Sequence, residues 1–278
     1  MVADNKSDRP GATPEPGPNR SAGGAVVVMD VGNSSMAIGL WDRMRVSDAV
    51  RVPTHDRGGF ASTFGKLWTG TGQDRPGAVV VASVVPDAVE WIGAEVVQQA
   101  DRRIAVVGPG IGLPCRVAVR EPDRVGVDRV CAAAAAFECT RHACTVIDFG
   151  TAITVDLVDD EGTFIGGAIL PGAELQARAL ALGTAALPEV KLTPPGDPVG
   201  RDTCEAIRSG ILNGIPGAVR GIVEQYATVL NQWPQVVATG GDLHLFLDRC
   251  DFIDSPVPNL TLIGVGLAYA RHRQAGGR

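Results

Sequence analysis

Two short runs of the chain carry the same chemical groups in the same order. Val27-Val28-Met29-Asp30-Val31-Gly32-Asn33-Ser34 and Val146-Ile147-Asp148-Phe149-Gly150-Thr151 each lead apolar residues into Asp-x-Gly and then a small polar group. A second strand-like run follows each, at 36–41 and 153–158, so both read as strand, tight turn, strand. Glycine lacks a Cβ and permits positive φ, so a ligand's oxygens can approach the backbone amides of the turn. A carboxylate beside bare amides suits a phosphate chain carrying Mg²⁺, which prefers carboxylate and phosphate oxygens. One such hairpin is commonplace, and its Asp can simply bond its own backbone in an Asx-type turn. Two of them, 148 − 30 = 118 positions apart, predict two similar halves facing one nucleotide.

A third carboxylate, Asp128, lies in Gly126-Val127-Asp128-Arg129, directly before the alanine-rich stretch 129–139. Alanine has the best intrinsic helix propensity, so this is the clearest helix in the chain and Asp128 falls in or near its first turn. The helix N-terminus favours a carboxylate there. Locally, an ordinary Asp cap with an exposed Arg fits equally well.

These groups must be held by strands and helices in alternation. The first half reads strand, strand, then a third strand at 46–52, a helix at 60–68, a buried strand at 77–85, a helix at 87–99 and a strand at 104–107. The second half restarts with the repeated hairpin. A strand at 163–170, a helix at 173–182, a loop at 194–198, one or two long helices at 204–230 interrupted by Gly214 and Pro216, a strand at 235–238 and a closing helix at 260–270 follow. The order predicts an α/β fold of two lobes with mixed sheets flanked by helices, 25–140 and 141–278. Residues 1–24, rich in Pro, Gly, Ser and Asp, are expected to form a disordered tail. Gly108-Pro109-Gly110-Ile111-Gly112 imitates a dinucleotide-binding loop, but its spacing is wrong and an extended run follows instead of a helix start.

Composition removes several function classes. A net charge of −6 without a basic block argues against nucleic-acid binding. No apolar run reaches the roughly 20 residues of a membrane helix, so no membrane partner is expected. The six cysteines form no C-x-x-C pair and do not cluster with the four histidines, which predicts reduced thiols in a cytoplasmic protein rather than a zinc site.

Taken in order, the motifs resemble those of the type III pantothenate kinases, within the acetate kinase, sugar kinase, Hsp70 and actin superfamily. The resemblance runs from Val26 to about Ala270. Besides the two hairpins and Gly126–Arg129, it is carried by Ser83-Val84-Val85-Pro86, Gly166-Gly167-Ala168-Ile169-Leu170-Pro171-Gly172, Gly183-Thr184-Ala185-Ala186-Leu187-Pro188, Gly200-Arg201-Asp202-Thr203 and Thr239-Gly240-Gly241-Asp242. It implies two actin/hexokinase-like (ribonuclease H-like) lobes and ATP-dependent phosphorylation of pantothenate to 4′-phosphopantothenate, the first step toward coenzyme A. It implies ATP binding by Asp30, Val31, Gly32, Asn33, Ser34, Ser35, Met36, Ala37 and Thr151, with Asp30 turned toward Mg²⁺. Asp128 becomes the proton acceptor for the substrate hydroxyl, and Gly126, Val127, Asp128, Arg129 and Thr203 become substrate contacts. Arg129 could fork onto the substrate carboxylate. Asp148 becomes the ligand of a monovalent cation, K⁺ or NH₄⁺, although nothing local separates that role from Mg²⁺ binding. Thr203 reads equally as the N-cap of a helix, and Gly240 and Gly241 as either an adenosine contact or a plain turn. The family also implies a homodimer.

Three positions depart from the family pattern. Val119 stands where a tyrosine usually lines the pantothenate pocket, Ser34 where threonine is commoner, and Asp202 where asparagine is frequent. Val119 keeps open a kinase for another small hydroxy acid. A non-catalytic regulator resembling the Bvg accessory factor is the further alternative, and the retained aspartates argue against it.

Overall fold

The computed structural model describes residues 25–70, 76–193 and 197–276. The tail expected over 1–24 and positions 194–196 of the expected loop lie outside them. The first lobe runs β1 (Val26–Val31), β2 (Ser35–Asp42), β3 (Arg45–Pro53), α1 (Arg57–Thr69), β4 (Ala78–Ser83), α2 (Pro86–Ala100) and β5 (Ile104–Val106). Then come α3 (Val127–Thr140), β6 (Cys144–Phe149), β7 (Ala152–Val158), β8 (Phe164–Pro171) and α4 (Ala173–Gly183). The chain ends with α5 (Thr203–Leu230), β9 (Gln235–Thr239), β10 (Ser255–Pro256) and α6 (Leu260–Gln274).

The strands form two five-stranded sheets, β3-β2-β1-β4-β5 and β8-β7-β6-β9-β10, which are the same order twice. In each, a hairpin supplies the antiparallel edge (β1 with β2, β6 with β7) and a crossover strand (β4, β9) pairs in parallel with the first strand. The repeat read from the two Asp-x-Gly runs is therefore a repeat of the whole lobe topology.

Alternation along the strands sorts side chains into layers. Val27, Met29 and Val31 pack with Phe60, Phe64 and Trp68 of α1 and Ile92 and Val96 of α2. Val26 and Val28 pack on the opposite face against Leu262 and Val265 of α6. In the second sheet, Ile147 and Phe149 join Ile211, Ile215 and Val219 of α5, while Cys144 and Val146 join Ala132 and Ala136 of α3 and Ile263 of α6. Helices α3 and α6 are thus a middle layer between the sheets. That position explains the alanine run: a helix walled by a sheet and another helix has room only for small side chains. Gly264 completes the close crossing, since a Cβ there would sit 1.9 Å from the Cys131 carbonyl oxygen.

Residues 203–230 form one continuous helix, with Pro216 inside it. An interior proline costs roughly 3 kcal/mol. The buried Ile211, Leu212, Ile215, Val219 and Val223 each contribute about 1.5–3 kcal/mol against the sheet, so packing outweighs the interruption. After β5, Gly108–Ile111 makes a tight turn in which Gly110 and Ile111 both donate to the Val106 carbonyl at 2.9 Å, and no helix follows. The short β10 has no periodicity of its own to mark it in sequence, and is a strand only through its pairing with β9.

Candidate active site

The same alternation aims the carboxylates. With Val27, Met29 and Val31 committed to the outer core, Asp30 must project with Val28 into the middle layer. Asp148 likewise shares the inner face of its sheet with Cys144 and Val146. The two turns that follow meet across the lobes: the Thr151 hydroxyl donates to the Ser34 hydroxyl at 3.3 Å, between residues 117 positions apart.

Each turn is braced from behind. Gly32 N–H donates to the Ser35 carbonyl at 3.1 Å. The buried Thr54, just past β3, donates its hydroxyl to the Gly32 carbonyl at 2.7 Å and its N–H to the Ser34 carbonyl at 3.1 Å. Behind the second turn, a Cβ on Gly172 would lie 2.1 Å from the Gly150 carbonyl oxygen, and one on Gly240 would lie 2.2 Å from that of Phe149. Gly240 has φ +109, and Asp242 N–H donates to the Phe149 carbonyl at 2.9 Å. Gly240 therefore presses on the hairpin backbone, whereas Gly241 has open space where a Cβ would go.

Asp128 is the second residue of α3 and accepts the Arg129 backbone N–H at 2.9 Å. Its charge reaches both hairpin aspartates. Burial pushes the Asp30 carboxyl up to about 8, with Asp128 and Asp148 adding to the rise and Arg51 opposing it. Burial also pushes Asp148 up to about 6, against the opposing charge of Arg51, with Asp128, Asp156 and Asp242 adding. Carboxylates crowded in this way fit cations, because a positive charge favours their ionised form. Among the described residues, no group of three or more His, Cys, Asp or Glu side chains is placed to hold a metal alone. A cation here would complete its shell with phosphate oxygens and water, as Mg²⁺ commonly does.

The substrate-side residues divide. Arg129 turns its guanidinium edge onto the buried Asp156 of β7, with Nε at 3.1 and 3.2 Å from the two carboxylate oxygens and Nη2 also bonded to it. The guanidinium lies 5.4 Å from the Phe164 ring centre. The Nε–Nη2 edge of Arg129 is thus held by Asp156, which leaves the Nη1–Nη2 edge for a second acceptor. Gly167 makes this possible, since a Cβ there would lie 2.2 Å from an Asp156 oxygen. Beside the pair is a hollow of about 520 Å³ lined by Val119, Arg120, Glu121, Arg124 and Arg129. Thr203 is not part of it. It opens α5 and lines a separate hollow with Gln176, Leu187 and Gly210. The helix cap is Asp202, whose carboxylate accepts from Glu205 N–H at 2.8 Å, so the added charge of this position faces a helix N-terminus.

The profile of the type III pantothenate kinases matches residues 26–225. A type III pantothenate kinase of Anaeromyxobacter sp. (strain K) is 36% identical over 253 residues, covering 89% of this chain and 100% of the relative. The chain belongs to the type III pantothenate kinase family. Another type III pantothenate kinase, from Frankia alni, is 33% identical over 89% of this chain and 99% of its own. Among solved structures, a Baf-family protein of Campylobacter jejuni superposes with a TM-score of 0.55 at 16% identity, covering 89% of this chain and 99% of that one. Component A of the Acidaminococcus fermentans (R)-2-hydroxyglutaryl-CoA dehydratase gives 0.54 at 15%, covering 90% and 99%. These two show the shared fold. A type III pantothenate kinase is a phosphotransferase, so the facing hairpins belong to a kinase.

Three supporting residues escaped sequence reasoning. Asp156 left a trace, because a lone carboxylate in an apolar strand run needs a buried partner. Thr54 and Arg51 left none; the register of β3 puts Arg51 in line with Asp30, and Thr54, just past β3, reaches the first turn by its two hydrogen bonds.

Proposed function

We propose that the protein transfers the γ-phosphoryl group of ATP to the primary hydroxyl of pantothenate, with Asp128 accepting the hydroxyl proton. Family membership supports the reaction, and the meeting of the Asp30 and Asp148 turns across the lobes, with Asp128 in the first turn of the middle-layer helix α3, supports the assignment of residues. The turns Asp30–Ala37 and Asp148–Thr151 lie on either side of the phosphates. Their backbone amides and the Ser34 and Thr151 hydroxyls supply donors. A carboxylate is a weak base, and that suffices because phosphoryl transfer has a loose transition state and the alcohol loses its proton late.

Asp30 holds Mg²⁺ through the phosphates and Asp148 a monovalent cation, K⁺ or NH₄⁺. When bound, these ions neutralise phosphate charge and draw the two aspartates into their ionised forms. Pantothenate occupies the hollow beside Arg129 and Val119. The inner guanidinium edge is held by Asp156, so Arg129 offers the substrate carboxylate its outer Nη1–Nη2 edge. Val119 in place of a ring leaves room and removes a donor, and Arg120 beside it supplies N–H donors to the same hollow.

The lobes divide at 25–140 and 141–278, and the working form is a homodimer in the cytoplasm. The outer face of α5 supports the dimer. Gly210, Gly214, Gly217 and Gly221 recur at helical spacing with nothing within 4 Å of where their Cβ atoms would be, so another backbone can come close. Six unpaired cysteines are consistent with a reducing compartment, and among the described residues no helix is long and apolar enough to cross a membrane. ADP release by the purified protein, with and without pantothenate and K⁺, tests the reading. Turnover that needs both supports it. Turnover indifferent to pantothenate points to another acceptor, and no turnover points to a binding protein.

A further inference from the structure

Strand register puts a cation where nothing in the sequence motifs does. Asp30 of β1 pairs with Ala37 of β2, and Ala37 pairs with Arg51 of β3, so the three stand in one row across the sheet. Side chains in such a row project to the same face. Ala37 packs into the inner core, and the neighbours Val52 and Met36 into the outer one, which fixes that face as the one toward the cleft. The intervening residue is only an alanine, so nothing larger separates the guanidinium from the Asp30 turn. Just beyond β3, Thr54 ties the strand end to the Gly32 and Ser34 carbonyls, so β3 and the phosphate turn move together.

Arg51 is exposed, and none of the ion pairs or hydrogen bonds described above or elsewhere among the described residues holds its guanidinium. The register therefore puts a guanidinium, bonded to no carboxylate among the described residues, on the cleft-facing side of the sheet in line with Asp30. What belongs beside it is an anion that the carboxylates do not repel because it brings its own cations.

We propose that Arg51 is a catalytic residue of the phosphoryl transfer, binding the terminal phosphate oxygens of the nucleotide as the lobes hold it. This rests on the kinase reading above and adds to it the residue that neutralises the transferred group. In a loose transition state, charge spreads over the equatorial oxygens of the transferring group, and a planar guanidinium can contact two of them at once. A lysine could supply the charge at one point only.

The test compares Arg51→Ala and Arg51→Lys with wild type. Because the side chain is exposed, both should melt close to wild type. Arg51→Ala should lower kcat about 10²–10³-fold, the scale for removing one preorganised donor to a developing anion, while KM for pantothenate stays close to wild type. Arg51→Lys should fall between them, and added guanidinium chloride should restore part of the Arg51→Ala rate. A second readout does not need an acceptor: ATP should raise the melting temperature of wild type more than ADP does, and Arg51→Ala should lose that difference. Near-normal kcat in Arg51→Ala, or a rise confined to KM for pantothenate, would overturn the proposal, the latter by placing Arg51 on the acceptor. If wild type fails to phosphorylate pantothenate but the ATP-over-ADP difference still depends on Arg51, the acceptor assignment fails and the Arg51 inference stands.

Discussion

Raising the pH should weaken the protein in the absence of ligands, and Asp30 should account for most of the loss. In the unfolded chain this carboxyl releases its proton near 3.8; in the folded protein, burial first and then the charges of Asp128 and Asp148 hold it to about 8. Between those values the folded state keeps a proton that the unfolded state has lost. The Asp30 contribution to stability therefore falls as pH rises through this window and levels off above about 8. At 1.36 kcal/mol per pH unit the full loss is on the order of 5 kcal/mol. For a chain of this size that corresponds to a fall in melting temperature on the order of 10–15 °C. Asp148, raised to about 6, steepens only the acid part of the curve. Differential scanning fluorimetry from about pH 5 to about pH 9 reads this directly. Asp30→Asn should flatten the slope and melt above wild type at the alkaline end. Saturating Mg²⁺-ATP with K⁺ should flatten it too, because the cations favour the ionised carboxylates. A melting temperature indifferent to pH in wild type, or an Asp30→Asn variant with the wild-type slope, would refute the reasoning.

Other perturbations separate chemistry from support. Asp128→Asn should lower kcat about 10²–10⁴-fold, as for loss of a general base, with ATP affinity by calorimetry little changed. Asp156→Asn leaves Arg129 without its buried partner and should cost about 3–5 kcal/mol in denaturant unfolding, and it should raise KM for pantothenate because the guanidinium is no longer held. Gly264→Ala forces a methyl group against the Cys131 carbonyl and should destabilise by about 1–3 kcal/mol or more, with the α3–α6 crossing, and hence Asp128, displaced.

What the sequence revealed was local and repeated. The two Asp-x-Gly hairpins, the alanine-rich helix and the buried strand at 78–83 could be read directly, because strand alternation, turn glycines and alanine propensity act over a few residues. The doubled strand order followed from recognising the repeat. What stayed hidden depends on pieces far apart in the chain. Pro216 marked a break because local chemistry favours one, and only the apolar face seated on the second sheet keeps the helix whole. The anchoring of Arg129 was hidden because its partner Asp156, 27 positions on, comes alongside only when β7 packs under α3. Gly172 stood only as the end of a motif and Gly240 as an adenosine contact or a plain turn, and neither reading showed how closely both press on the second hairpin. Thr203 was grouped with Asp128 by motif, and a single chain places it in another hollow.

The proposed reaction needs two hairpins closing on one nucleotide and Asp128 receiving the acceptor's proton. The most direct measurement follows ADP and phosphorylated pantothenate together, by coupled assay and mass spectrometry, in wild type and in Asp128→Asn. Equal amounts of both products, formed only with ATP and Mg²⁺ and nearly abolished in the variant, are the expected result. ADP without phosphopantothenate, or an Asp128→Asn variant that works at the wild-type rate, would contradict it.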